Sequence, residues 1–273
     1  MALAVSEFQL ALVQLAADLG IKIGRLLARM DRLDRSEALE FVTDAYPELA
    51  TAYLAASGEL SVQFYNEQPT VSDFEAESVD LIPAERLATS GRWALTQLDP
   101  VQALTGSAER AVMDQSRQTI LENLADEYDS ATDVPGTVWA SHASANACSF
   151  CRLLATRGAV FRSESSATRV GGRGKAESTN FRADGSRKRG GQAKGVRVRG
   201  TQALGSKYHD NCHCIAVPVR PGGDYEPPAY VDKWEQDYID AVSAAQKAGK
   251  TKGQYGAIDL KAVLSEMDRA ARK

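Results

Sequence analysis

Cysteine occurs four times in this 273-residue chain, and every copy falls in one of two short strings. The first is ACSFC at 147–151 and the second is KYHDNCHC at 207–214, which also holds two of the three histidines, His209 and His213. Thiolate and imidazole are donors that Zn2+ takes in tetrahedral sites, and a Cys-x-x-Cys pair can grip one ion from a single turn. The spacing makes Cys148, Cys151, Cys212 and Cys214 a candidate structural zinc centre. His209, three residues before Cys212, is the natural substitute if one sulfur points away. His213 should project to the opposite side of an extended segment from its neighbours, which makes it the poorer ligand. Two other readings of the same residues stand beside zinc. One is a pair of disulfides, which needs an oxidising compartment; the other is that the thiols are simply small buried hydrophobes.

Other chemistry finds less support. The string HDN at 209–211 beside a metal suggests a His-Asn nuclease, but His142 is the one further imidazole and no second acid cluster is placed by spacing. His142 itself reads as a surface or capping residue. SHAS at 141–144 lacks the context of a serine nucleophile elbow. GGRGK at 171–175 lacks the G-x-x-x-x-G-K-[ST] spacing of a phosphate loop and has no strand-to-helix setting. On this reading the chain is not an enzyme.

The elements that must position the cysteines are mostly helical. From Phe8, apolar residues Leu12, Leu15, Leu19, Ile23, Leu26, Met30 and Leu33 recur every three or four positions, the stripe of an amphipathic helix. Gly20 and Gly24, one turn apart, cost helix propensity and point to close approach of another helix. Ser36 fits the N-cap of a short helix to about Ala45, and Pro47 the first turn of a third reaching Tyr65. A loop over 66–85 and helices over 84–97 and 100–128 follow, the last with Leu104, Ala111, Met113, Ile120 and Leu124 facing inward. After the break at 132–137, the cysteine region reads as a helix end, a turn and the strand GAVF. CIAVPV reads as another strand, and 228–248 and 257–272 as closing helices.

Charge divides the chain. Residues 1–140 carry 9 Lys/Arg and 23 Asp/Glu, whereas residues 141–214 carry 14 and 4. From Glu37 to Glu85 there are 11 acidic residues and no basic one, either a solvated face or a docking surface for a basic partner. Between Arg162 and Lys207 there are 12 basic and 3 acidic residues with 9 glycines, too little apolar surface to order a segment. That insert reads as a flexible loop. Its Arg169, Arg173, Lys175, Arg182, Arg187, Lys188, Arg189, Lys194, Arg197 and Arg199 are candidate contacts to nucleic-acid phosphate, with a merely solubilising role as the alternative. No apolar run is long enough for a membrane span. No basic-then-apolar leader precedes the first helix, so export is not expected and the thiols should stay reduced.

The order Trp139, Cys148-Ser-Phe-Cys151, GAVF, a variable loop, then His209-Asp-Asn-Cys212-His-Cys214 running into a strand resembles the phage Mu F-like minor head proteins. Their hallmark is C-x-x-C followed by His-Pro-x-Cys-Arg-Cys; Asp210 stands here for the proline and His213 for the arginine. The resemblance covers about 139–219. It implies a low-copy structural protein inside the head of a tailed phage near the portal, acting in head assembly and in DNA packaging or ejection. The partners it implies are the portal protein, the major capsid protein and genomic DNA, and the location is the virion, after assembly in the host cytoplasm. A metal-dependent nuclease or a capsid maturation protease of the same particle is the alternative. The expected fold is mainly α with a small α+β module. A helical region at 1–130 would dock the particle, a cysteine-stapled module at 135–220 would contain basic loop 162–207, and helices would close the chain at 221–273.

Overall fold

A computed structural model describes residues 4–71, 73–128, 136–164, 167, 172–174, 196–198, 213–252 and 257–271. The fold is mainly α with a small α+β module, as the sequence implies. Four long helices come first: α1 (Val5–Ala28), α2 (Arg35–Glu67), α3 (Ala84–Ala94) and α4 (Pro100–Tyr128). The module follows with β1 (Val138–His142), α5 (Ser149–Ala155), β2 (Ala159–Phe161), β3 (Gly172–Gly174), β4 (Val196–Val198) and β5 (Ile215–Val219). The chain closes with α6 (Tyr230–Lys247), a small ribbon of β6 (Thr251–Lys252) and β7 (Ala257–Ile258), and α7 (Leu260–Ala271).

The stripe of α1 is buried as its periodicity requires: Phe8, Leu12, Leu19 and Ile23 are fully enclosed and Leu26 nearly so, while Leu15 and Met30 pack at the edge. The helix ends at Ala28 and a single 3-10 turn, Arg29–Arg32, leads out, so Leu33 is exposed rather than part of the stripe. The two short helices expected over 36–45 and 47–65 are one. Asp34, not Ser36, caps it: its carboxylate accepts from the amides of Ser36 at 2.7 Å and Glu37 at 2.9 Å, and Glu37 reaches back to the Asp34 amide at 3.0 Å. Pro47 lies inside this helix, where a missing N–H and ring crowding cost about 3 kcal/mol in isolation. Packing offsets that cost, because Val42, Tyr46, Ala50 and Leu54 on both sides of Pro47 are fully buried in one core with α1, α3 and α4. Of the two glycines in α1, Gly20 meets α4 so closely that an added Cβ would lie 2.9 Å from Thr105 Cγ2. Gly24 meets nothing within 4 Å.

The strand VWASH, unanticipated in the sequence, is the centre of a three-stranded antiparallel sheet in the order β2-β1-β5. Its register with β5 runs from Val138 opposite Val219 to His142 opposite Ile215. β5 lies at the sheet edge, where Pro218 can be accommodated, and all five of its residues are buried. They are covered by the helices. Phe8 and Leu12 of α1, Phe64 and Tyr65 of α2, and Met113, Ile120 and Leu124 of α4 form one core with Trp139, Ala140, Ile215, Ala216 and Val217. Phe8 and Phe64 stack at 4.1 Å within it. The helical region and the cysteine module thus share a hydrophobic core that crosses the break at 132–137.

At the seam lies a buried polar knot. Arg220, just past β5, donates to the carbonyls of Tyr65 (2.7 Å) and Gln68 (2.8 Å) at the end of α2. It also pairs with Glu127 of α4 at 3.2 Å, with the two side chains 2% and 0% exposed. Its guanidinium stacks 4.2 Å from the Tyr65 ring centroid, and the Tyr65 hydroxyl donates to Glu127. Burial first, then Glu127, pushes the Tyr65 phenol pKa well up.

Candidate metal centre

The cysteines are placed by the sheet. β1 leads into α5 through a short turn, and the pairing of His142 with Ile215 carries Cys214, the residue before β5, to the same end of the sheet. Cys148 is the N-cap residue of α5, with extended backbone, and Cys151 is one turn further on. Cys148, Cys151 and Cys214 accordingly sit in one apolar cluster with Ala143, Ala147, Ala155, Phe150 and the α6 residues Tyr230, Val231 and Trp234. Cys151 and Cys214 are buried and Cys148 is half-buried. Two chain segments separated by the whole basic insert meet at these thiols.

Side chains from the helices fix the Cys214 segment. Gln9, a polar residue on the buried face of α1, donates its amide to the carbonyls of His142 (3.1 Å) and His213 (2.8 Å). Arg117, buried on α4, donates to the Cys214 carbonyl at 3.1 Å while bonding Asp114 at 2.8 Å. On the far side, the Tyr230 hydroxyl donates to the Ala143 carbonyl at 2.8 Å. Burial, and then the neighbouring Cys214 thiol, raise the Tyr230 pKa. Arg152 of α5 bonds the Ala147 carbonyl at 2.7 Å and lies 5.5 Å from the Trp234 ring centroid, tying α5 to α6. None of Gln9, Arg117 or Tyr230 was marked by the sequence reading. The available signal was a polar or charged residue at an inward position of an apolar helix, which identifies a buried hydrogen-bonding group but not its partner.

His213, two residues before β5, faces Glu109 of α4 with Nε2 4.0 Å from the carboxylate. Glu109 is raised above the ordinary carboxylate range by burial, an effect His213 partly opposes. His142 is not a surface or capping residue. It is 1% exposed on β1, with Nδ1 3.0 Å from the Tyr225 hydroxyl and Nε2 3.4 Å from the Ser6 hydroxyl. Central-strand alternation, with helices on one side and the 220–228 segment on the other, encloses the ring. Burial lowers its pKa to about 4.

Three thiols of matched softness suit zinc in kind. Among the described residues no group of three or more His, Cys, Asp or Glu is arranged to hold a metal ion. The ligands that would complete a four-donor set, Cys212 and His209, lie outside the described residues.

The basic insert is not without regular structure. β3 and β4 pair antiparallel, with Arg173 opposite Arg197, and this corrects the reading of 162–207 as loop throughout. Strand pairing needs only matched backbone N–H and C=O groups, so it can form where apolar content is low. Arg169, Lys175, Arg182, Arg187, Lys188, Arg189, Lys194 and Arg199 lie outside the described residues. Among the described residues no helix is long and apolar enough to cross a membrane.

The family model described as VG15 protein matches this chain over residues 2–241. No curated protein and no solved structure matches it.

Proposed function

The chain belongs to the VG15 protein family, a family of viral proteins, and from that premise we propose that it is a structural minor head protein of a tailed bacteriophage. Its place is inside the head near the portal, in the manner of the Mu F-like proteins its cysteine strings resemble. The observation that carries the reading is the meeting of Cys148, Cys151 and Cys214 from opposite sides of the basic insert. A cluster built of thiols, alanines and aromatic rings suits a staple rather than a reaction centre. Zn2+ held by Cys148, Cys151 and Cys214, with Cys212 or His209, would close that staple and hold both roots of the insert.

The insert then acts as a cationic arm to the packaged genome, its ribbon bringing Arg173 and Arg197 to one register position. The portal and the major capsid protein are the protein partners this location provides. Mass spectrometry of purified particles, with zinc quantified on the isolated protein, tests the reading. The expected result is low-copy protein in the particle and one zinc per chain, falling well below one in Cys214→Ser. Absence from the particle would refute the head assignment, and a metal-free chain would refute the staple. Metal-dependent cleavage of plasmid DNA or of capsid precursor would favour an enzymatic role instead.

A further inference from the structure

Among the described residues, one face of α1 has no element packed over it. Opposite its buried stripe, Leu10, Val13, Ala17, Ile21, Gly24 and Ala28 fall at three- and four-residue spacing, a second apolar stripe on the same helix. Leu10 is 55% and Ile21 57% exposed, Ala17 and Ala28 are exposed, and the position of Gly24 is open, with nothing within 4 Å of an added Cβ. The helix therefore keeps a glycine, at a propensity cost, where none of the described residues approaches.

The stripe is complementary to itself. With two α1 helices antiparallel and the two-fold axis at the level of residues 18–20, Leu10 of one copy lies against Ala28 of the other, Ile21 against Ala17, and Val13 against Gly24. Each large residue meets a small one, and the glycine gives the two backbones room to approach. The charged flank of the stripe agrees. It carries Glu7 and Asp18 in its first half and Lys22, Arg25 and Arg29 in its second, all exposed. Antiparallel pairing sets Glu7 beside Arg29 of the second copy at both ends of the contact. That makes two opposite-charge pairs against one like pair near the axis, where the two Asp18 carboxylates each accept from the Tyr53 hydroxyl of their own copy at 2.5 Å. We propose that two copies of this chain associate through the outer faces of their α1 helices, antiparallel about a two-fold axis. Such an interface is isologous, each copy presenting the same patch.

The contact is small. A stripe from residue 10 to residue 28 runs about 27 Å at 1.5 Å per residue. At about 10 Å across it offers on the order of 300 Å² per copy, against ~800 Å² per partner in a standard interface. The dimer should therefore exchange with monomer on dilution, and a high local concentration, as among copies in one particle, would favour it.

Light scattering coupled to size exclusion, on the full chain over a dilution series, tests this. The wild-type mass should rise from monomer toward dimer with concentration. Ile21→Glu places two unpaired carboxylates in the contact and should raise the dissociation constant at least about tenfold; its thermal midpoint and circular dichroism should match wild type, because position 21 is exposed. Arg29→Glu should weaken the dimer by juxtaposing it with Glu7, and Glu7→Lys combined with Arg29→Glu should restore it. A wild-type chain that stays monomeric at every concentration overturns the proposal, as does equal dimerisation by Ile21→Glu. A monomeric wild type in which Ile21→Glu nevertheless blocks incorporation into particles would assign the stripe to a different virion protein and overturn it too.

Discussion

Replacing Arg220 with methionine should destabilise the whole chain, not the module alone. The side chain is 2% exposed and its partner Glu127 fully buried. Removing the guanidinium strips Glu127 of its cation and leaves the Tyr65 and Gln68 carbonyls without the donor at 2.7 and 2.8 Å. The carboxylate keeps the Tyr65 hydroxyl and a long contact from Thr70, which solvate a charge only in part. Breaking a buried pair at one side costs about 3–5 kcal/mol. For a chain of 273 residues each kcal/mol moves the midpoint by roughly 2–3 °C, so Arg220→Met should lower it by on the order of 10 °C. Replacing both partners, Arg220→Met with Glu127→Leu, removes the orphaned charge and should cost markedly less than the two single changes added together. Urea unfolding followed by helix circular dichroism and by tryptophan fluorescence, with Trp93 and Trp234 replaced by phenylalanine in parent and variant so that Trp139 alone reports, is the assay. Both signals should shift together, since Arg220 joins β5 to the ends of α2 and α4. A loss under about 1 kcal/mol, the range of surface pairs, would refute the argument. So would a fluorescence transition that moves while the helical transition stays in place, because that would make the helices and the module separate units.

The two glycines of α1 should respond oppositely. Gly20→Ala forces a Cβ to within 2.9 Å of Thr105 Cγ2 and should cost about 1–3 kcal/mol, whereas Gly24→Ala in open space should gain roughly 0.5–1 kcal/mol, both read by urea unfolding at a concentration where the chain is monomeric. His142 gives the pH dependence a defined sign. Its folded pKa, about 4, lies below the ordinary value of 6.5, so as pH falls the unfolded chain takes the proton first. Its contribution is intact above about pH 6.5 and is lost progressively toward pH 4, amounting to about 3 kcal/mol. His142→Gln should remove that slope from the variant's own stability curve, so that the difference between wild type and variant changes as pH falls from about 6.5 toward 4; parallel curves would count against a neutral buried ring. Replacing Arg187, Lys188 and Arg189 by alanine should weaken duplex DNA binding and flatten its salt dependence. If the insert engages about six phosphates, log affinity should fall against log salt with slope near −5 in the parent chain; equal slopes in both proteins would leave the insert as a solubilising segment.

By itself the sequence determined the helical class, because a 3.6-residue apolar period is written locally. The stripe of α1, the span of α4 and the apolar run of β5 each follow from neighbouring residues alone. It also paired the two cysteine strings, since donor type and spacing are properties of composition. What lay beyond it were the decisions made between distant segments. Whether Pro47 ends a helix depends on how much core lies on both sides of it, and only the packing of α2 on α1, α3 and α4 sets that. That Gly20 is a contact while Gly24 is vacant depends on the crossing point of α4, which no glycine spacing specifies. His142 reads as polar until β1 is placed between β2 and β5, and then burial makes it a neutral core ring. Gln9, Arg117 and Arg220 look like ordinary polar residues in the sequence, yet they tie the helices to the cysteine segment and to the end of β5. Their partners are mostly backbone carbonyls far along the chain, and a carbonyl has no residue type to read. Local periodicity therefore gave the elements, while the tertiary structure alone decided which polar groups had to be satisfied where those elements meet.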